Sequence, residues 1–224
     1  VSRRRPRLLD LYCGAGGAAA GYQRAGFRVT GVDIEPQPHY PGAFIHDDVL
    51  DLSAAFLARF DVIHASPPCR AYTALRSAPG AVSHPMLIQP TRALLRALGK
   101  PYVIENVEGA ASWMDDPIRL CGTMFELGAG GYELRRHRLF ESNLLIVPPH
   151  RCWHHKPVLG IYGGHVRHRA ASTGGRRTRD FDGADKPGLA AKAMGIDWMS
   201  MAELSDAIPP AYTHHIGLQL LGAA

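Results

Sequence analysis

Cysteine is scarce in this chain: Cys13, Cys69, Cys121 and Cys152 are the only four in 224 residues. No pair has the Cys-x-x-Cys spacing of a zinc ribbon or a dithiol redox motif, and no metal centre is expected from that pattern. A disulfide framework is not expected either, since no apolar signal core follows the basic "VSRRRPR" arm at the start. Apolar runs long enough to span a bilayer are also lacking, so no membrane role is expected. Lysine is nearly absent, with 4 Lys against 21 Arg. Internal repeats and low-complexity tracts are missing.

What is present suits a folded domain with one substantial core and room for a small appendage: 46% hydrophobic and 20% charged residues. The net charge of +5 is unevenly spread. Residues 135 to 192 hold twelve Lys/Arg against four Asp/Glu, and half of the twelve histidines. A positive segment beside a mildly acidic body suits a polyanionic partner, although a basic solubilising loop would look the same.

Short apolar runs alternate with helical patterns through the first half. "RPRLLDLYC" ends in Gly-rich "GAGGAAAG", and "RVTGVDI" reads as a second strand closing on Asp33. "AFIHDDV" (43 to 49) reads as a third, "DVIHAS" (61 to 66) as a fourth, and "PYVIEN" (101 to 106) as a fifth after an amphipathic helix at 85 to 99. This alternation predicts an α/β fold, a doubly wound and mostly parallel sheet with helices on both faces. "RHRLFESNLLIV" (136 to 147) reads as late strand material of the same sheet. Residues 148 to 186 read as a loop-rich insertion. Helical spacing returns afterwards, with Ser205 as a candidate cap and a proline pair opening the final helix. The expected division is 1–147, 148–186 and 187–224, the last packing back on the first.

In such a sheet ligands bind off the carboxyl ends of the strands. Asp10 to Gly17, Asp33, Asp48, Ser66 to Cys69 and Glu105 to Val107 all follow or close apolar runs. A glycine loop lets a ligand approach the backbone closely. An acidic residue closing the second strand can accept from ribose hydroxyls, and another closing the third can meet an adenine amino group. Each alone is more often a cap or turn residue. As an ordered set they describe a site for an adenosine-containing cofactor. "ASPPCRAYT" places Cys69 straight after two prolines, and from that stretch alone it reads equally as a small buried hydrophobe.

The motifs "LLDLYCGAGGAAAGYQRAGF", "GVDI", "HDDV", "ASPPC", "IENV" and "ELRRHRLF" resemble, in order, those of the DNA cytosine-5 methyltransferases. The match covers residues 7 to about 147, and "AIPPAYTHHIG" is similar to the family's closing cofactor motif. The resemblance implies a Rossmann-like fold of the S-adenosylmethionine-dependent methyltransferase type, with DNA as partner and S-adenosyl-L-methionine as cofactor. It makes Cys69 the nucleophile and Glu105 the partner of the pyrimidine N3 and amino edge. Arg138 would hold the base O2, and Arg136 would support the thiol and the extruded nucleotide. Asp10, Tyr12, Cys13, Gly14, Gly16, Gly17, Asp33, Ile34, Asp48, Val49 and Pro67 match cofactor contacts, while Asn106 reads as structural, fixing the loop that carries Glu105.

Two departures stand out. Leu134 replaces a polar residue before the arginine pair, and "IPPAY" replaces a Gly-Asn-Ser segment. The stretch available for reading a target sequence is short. Within it Arg167, Arg169, Arg176, Arg177 and Arg179 are the candidate nucleic-acid contacts, with "GIYGGH" and "STGGRRTR" approaching a groove. "PPHRCWHHKP" gathers His150, Cys152, His154 and His155 without a standard finger spacing, so phosphate contact or a solvated loop is the expectation there. The alternatives are the same chemistry on RNA or a free nucleotide, and a catalytically idle cofactor-binding module. A monomer in the cytoplasm of a bacterium or phage-infected cell is expected.

Overall fold

A computed structural model describes residues 4–72, 84–169, 178–181 and 185–223. The strands β1 (Arg7–Leu11), β2 (Arg28–Asp33), β3 (Ala43–His46), β4 (Val62–Ala65), β5 (Tyr102–Asn106), β6 (Ile118–Leu120) and β9 (Arg138–Ser142) form one seven-stranded sheet. Its order is β3-β2-β1-β4-β5-β9-β6, parallel except for β9, which runs antiparallel to both neighbours. The chain leaves β1 toward β2 and returns to β4 on the other side. That reversal opens a crevice at the carboxyl ends of β1 and β4, where open α/β sheets bind ligands.

The pleat sends alternate residues of β1 to opposite faces. Leu9 and Leu11 join a core shared with Ile88 and Leu95 of helix α3 (Ile88–Leu98), below the short α2 (Ala54–Leu57). Leu8 faces the other core, formed with α1 (Gly17–Ala25) and α6 (Pro210–Ala223). Helices α1 and α6 pack very closely: a Cβ on Gly21 would lie 2.0 Å from Thr213 Oγ1, so this crossing admits only glycine. The Thr213 hydroxyl donates to the Ala18 carbonyl at 2.8 Å, fixing the register of the pair. The antiparallel β9 is held from above by Arg92 of α3, whose guanidinium makes two 2.6 Å bonds to Glu141.

The segment read as loop-rich is instead a second sheet, and it starts earlier. β7 (Gly128–Ala129), β8 (Tyr132–Glu133), β10 (Val158–Tyr162), β11 (His165–Arg169) and β12 (Thr178–Asp180) form five strands in the order β12-β11-β10-β8-β7. Gly163 and Gly164, both at positive φ (60° and 73°), make the two-residue turn between β10 and β11. The glycines of "GIYGGH" therefore build a hairpin, and the Gly164 N–H is given to Ser205 Oγ at 2.9 Å. Of "STGGRRTR" only Thr178 and Arg179 lie within the described residues.

The C-terminal helices divide their packing. Helix α6 returns to the main sheet, whereas α4 (Lys186–Met194) and α5 (Met201–Asp206) cover the second one, around Leu159, Ile161 and Val166. Ser205 is not a cap. Ser200 caps α5 through a reciprocal capping box with Glu203, and Ser205 sits inside the helix donating to the Met201 carbonyl. Among the described residues no helix is long and apolar enough to cross a membrane.

Candidate active site

The loop after β1 is shaped by backbone conformations that most residues avoid. Tyr12 sits at φ 56°, Gly14 at 48° and Gly16, the residue before α1, at 83°. A Cβ on Gly16 would also strike Pro41 at 2.3 Å. Tyr12 accepts its strained position with its hydroxyl hydrogen-bonded to Thr91 Oγ1 at 3.0 Å. Cys13 donates its N–H to the Val32 carbonyl, and burial pushes its thiol far above the ordinary range, so it stays neutral.

Asp33, at the end of β2, organises this loop. One carboxylate oxygen accepts the Gly14 N–H at 2.9 Å and the other accepts the Glu35 N–H at 3.0 Å. Each oxygen keeps a further lone pair for a ligand hydroxyl. Ile34 beside it is 58% exposed, an apolar side chain offered to the crevice end of β2. After β3, Asp48 accepts the Leu50 N–H at 2.9 Å and caps a short turn, while Val49 is 1% exposed. Val49 therefore belongs to the core under the loop and offers no surface. Leu50 is the exposed apolar neighbour, and the sequence reading missed it. Asp10 is buried with no partner for Oδ1, and burial drives its carboxyl well above the usual range.

Cys69 opens the short helical turn after β4 and is half-buried. Burial raises its thiol, Arg138 opposes that shift, and Glu105 and Asp206 add to it. Glu105 on β5 is buried, which raises its carboxyl against the pull of Arg138 and Arg136. Arg138 Nε lies 2.9 Å from Glu105 Oε1. The two groups form a buried ion pair, although the N–H is not aligned as a hydrogen bond.

Strand β4 carries polar contacts into the interior beside the sheet. His64, fully buried on β4, has Nδ1 at 3.0 Å from the Tyr22 hydroxyl and Nε2 at 2.8 Å from Ser66 Oγ. The Ser66 hydroxyl lowers the Glu105 carboxyl, against the burial that raises it. Burial pulls His64 down to about 3, so the ring is neutral. Sequence reasoning missed it because a histidine inside a strand carries no signal of its own.

Arg136 has a structural role that its motif does not suggest. Its buried guanidinium donates to the carbonyls of Ala207 (2.9 Å), Ile161 (2.7 Å) and Ser205 (2.5 Å), and its own carbonyl accepts from the Tyr212 hydroxyl at 2.6 Å. Arg136 thereby clamps the two sheets and α6 together. Leu134, two residues earlier, is buried in the core of the second sheet.

No protein-family model matches this chain. Among curated proteins, type II methyltransferase M.AquIA of Picosynechococcus sp. is 25% identical over 127 residues, covering 48% of this chain. The chain spans about half the length of that relative, 50% of which is matched. An E. coli protein described as a DNA modification methyltransferase encoded within a prophage superposes with a TM-score of 0.61. It is 15% identical and covers 97% of this chain and 99% of its own. The methyltransferase EhMeth of Entamoeba histolytica gives 0.58 at 11% identity, with 99% of both chains covered.

The fold is a methyltransferase fold. Within that methyltransferase frame the residues named from sequence fall into one crevice-side set. The loop residues Asp10 to Gly17, Asp33, Ile34 and Asp48 follow β1 to β3, and Pro67, Cys69 and Glu105 follow or close β4 and β5. Pro67 is buried and its carbonyl is bound by Asn106. Of the basic residues, Arg167 lies on β11 with its guanidinium 5.4 Å from the Tyr162 ring centre. Arg169 and Arg179 occupy β11 and β12, and Arg176 and Arg177 lie outside the described residues.

Proposed function

We propose that this protein transfers a methyl group from S-adenosylmethionine to carbon 5 of cytosine in DNA, through a covalent bond from Cys69 to carbon 6 of a flipped-out base. The observation that carries the reading is the half-buried Cys69, whose thiol feels the charges of the buried Glu105–Arg138 ion pair. Carbon 5 of cytosine is a poor nucleophile until a thiolate adds at carbon 6 and makes the ring an enamine. Cysteine suits this step because the same atom must attack and later leave.

The groups present fit both ligands. Asp33, Ile34, Asp48 and the positive-φ loop would hold the cofactor, Asp33 through its spare lone pairs. When bound, the cofactor supplies an electrophilic methyl group. Glu105 would accept from the exocyclic amino group. Its raised affinity for a proton also suits it to donate to N3 as charge develops there on thiolate addition. Arg138 lowers the cost of the Cys69 thiolate against the burial that raises it.

Tritiated methyl transfer offered in parallel to duplex DNA, RNA and dCMP tests the reading. Label in DNA, lost with Cys69→Ser, supports it. Label confined to RNA or dCMP would replace the substrate but keep the chemistry, and no label in any of them would leave a cofactor-binding module.

A further inference from the structure

Two histidines and two cysteines that the methylation chemistry does not use converge at the far edge of the main sheet. Cys121 directly follows β6, His137 directly precedes β9, and Cys152 and His154 lie in the segment leading to β10. Each offers one ligand atom, and these atoms all lie within 4.8 Å of one another. Cys121 Sγ is 3.4 Å from His154 Nε2, and Cys152 Sγ is 3.9 Å from His137 Nε2. A tetrahedral zinc ion with bonds of about 2.3 Å to sulfur and 2.0 Å to nitrogen has ligand–ligand edges of about 3.3–3.8 Å. The four atoms need move only slightly to meet that figure.

We propose that Cys121, His137, Cys152 and His154 bind a structural zinc ion. The surroundings are those of a zinc site. With Nε2 of His137 toward the metal, its Nδ1–H points at Glu108 Oε2, 3.2 Å away, the carboxylate–histidine arrangement that fixes ring and tautomer. Cys121 Sγ has the Thr123 hydroxyl at 3.2 Å, a donor for a thiolate. Two thiolates balance the dication, so the site is neutral overall. Four protein ligands leave no open position, which makes the site closed and structural. His150 and His155 of the same segment stay outside: His150 Nδ1 faces the Arg151 carbonyl and His155 stacks on Trp153. The expectation of no metal rested on ligand spacing, and these ligands come from three separate stretches of chain.

The ion would tie the segment entering the second sheet to the β6–β9 edge. His137 stands between the Arg136 clamp and Arg138, so the same ion would steady the strand that presents Arg138 to Glu105. Full-length protein purified without chelator from zinc-supplemented cells should carry one zinc per chain by elemental analysis. Cobalt exchange should give a thiolate charge-transfer band and the intense visible bands of tetrahedral cobalt. Cys152→Ser and His154→Ala should lose the metal, while His155→Ala and Cys69→Ser keep it, so metal content is read independently of methyl transfer. Wild-type protein without stoichiometric zinc, or cobalt bound without the thiolate band, would overturn the proposal. A Cys121–Cys152 disulfide, seen as two fewer titratable thiols in the metal-free protein as purified, would overturn it as well.

Discussion

Asn106 Nδ2 donates to the carbonyl of Pro67 at 2.8 Å, tying the end of β5 to the turn that presents Cys69. The same amide accepts the Val107 N–H through Oδ1, so its two ends hold two loops at once. Asn106→Ala leaves a buried carbonyl unpaired and should cost about 1–3 kcal/mol of stability. Methyl transfer should fall further than cofactor affinity, because the residue aligns Cys69 and Glu105 without touching the cofactor loop. Urea unfolding, turnover and cofactor titration on one preparation check this.

Cys69→Ser should abolish methyl transfer by more than about a hundredfold while leaving fold and cofactor binding intact. DNA containing 5-fluorocytosine should give a protein–DNA adduct that survives denaturation, dependent on cofactor and on Cys69. Near wild-type turnover by the serine variant would make Cys69 structural.

Asp33→Ala removes the anchor of the Gly14 N–H as well as the proposed ribose partner. The loss of a charged hydrogen bond is worth about 1.5–3 kcal/mol, or about ten- to a hundredfold in affinity. Calorimetric titration with S-adenosylhomocysteine should show it, and unchanged affinity would withdraw the assignment.

His64 gives the acid side of the stability curve a distinct component. Its pKa falls from 6.5 to about 3 on folding, so between those values the unfolded chain binds the proton and the native one does not. Its contribution is therefore fully present above pH 6.5 and is lost as pH falls toward 3. The slope approaches about 1.4 kcal/mol per pH unit within the window. His64→Gln should reduce the wild-type slope between pH 6 and 4, whatever its effect at neutral pH.

Arg176, Arg177 and Arg179 replaced together should weaken binding to all duplex sequences alike and flatten the salt dependence. The slope of log affinity against log salt should drop by roughly 0.9 for each phosphate that is no longer neutralised. Cofactor affinity should not change. An unaltered slope would return the basic segment to a solubilising role.

The crevice side of the main sheet was legible because its signals are local. Gly-Ala-Gly-Gly after "LLDLYC", the acidic strand ends and Pro-Pro-Cys each occupy a few consecutive residues, and the sheet brings them together in chain order. The second sheet was hidden for a physical reason. Leu159 and Ile161 point inward but stand among Val158, Gly160 and Tyr162, so β10 shows no polar alternation, and Val166 is a lone apolar residue among histidines and arginines. The clamping role of Arg136 was not legible because its three carbonyl partners come from Ile161, Ser205 and Ala207, none near it in sequence. The inward turn of Val49 was not legible either, since the cap by Asp48 sends Val49 inward and Leu50 outward.

The close crossing of α1 and α6 has a consequence for how the protein is made. Gly21 and Thr213 meet across nearly the whole chain, so the helix behind the glycine loop stays uncovered until α6 has left the ribosome. Contacts of such long sequence separation form slowly, after a large loop has closed. During synthesis the β1–α1 unit would therefore expose the apolar flank that α6 later covers.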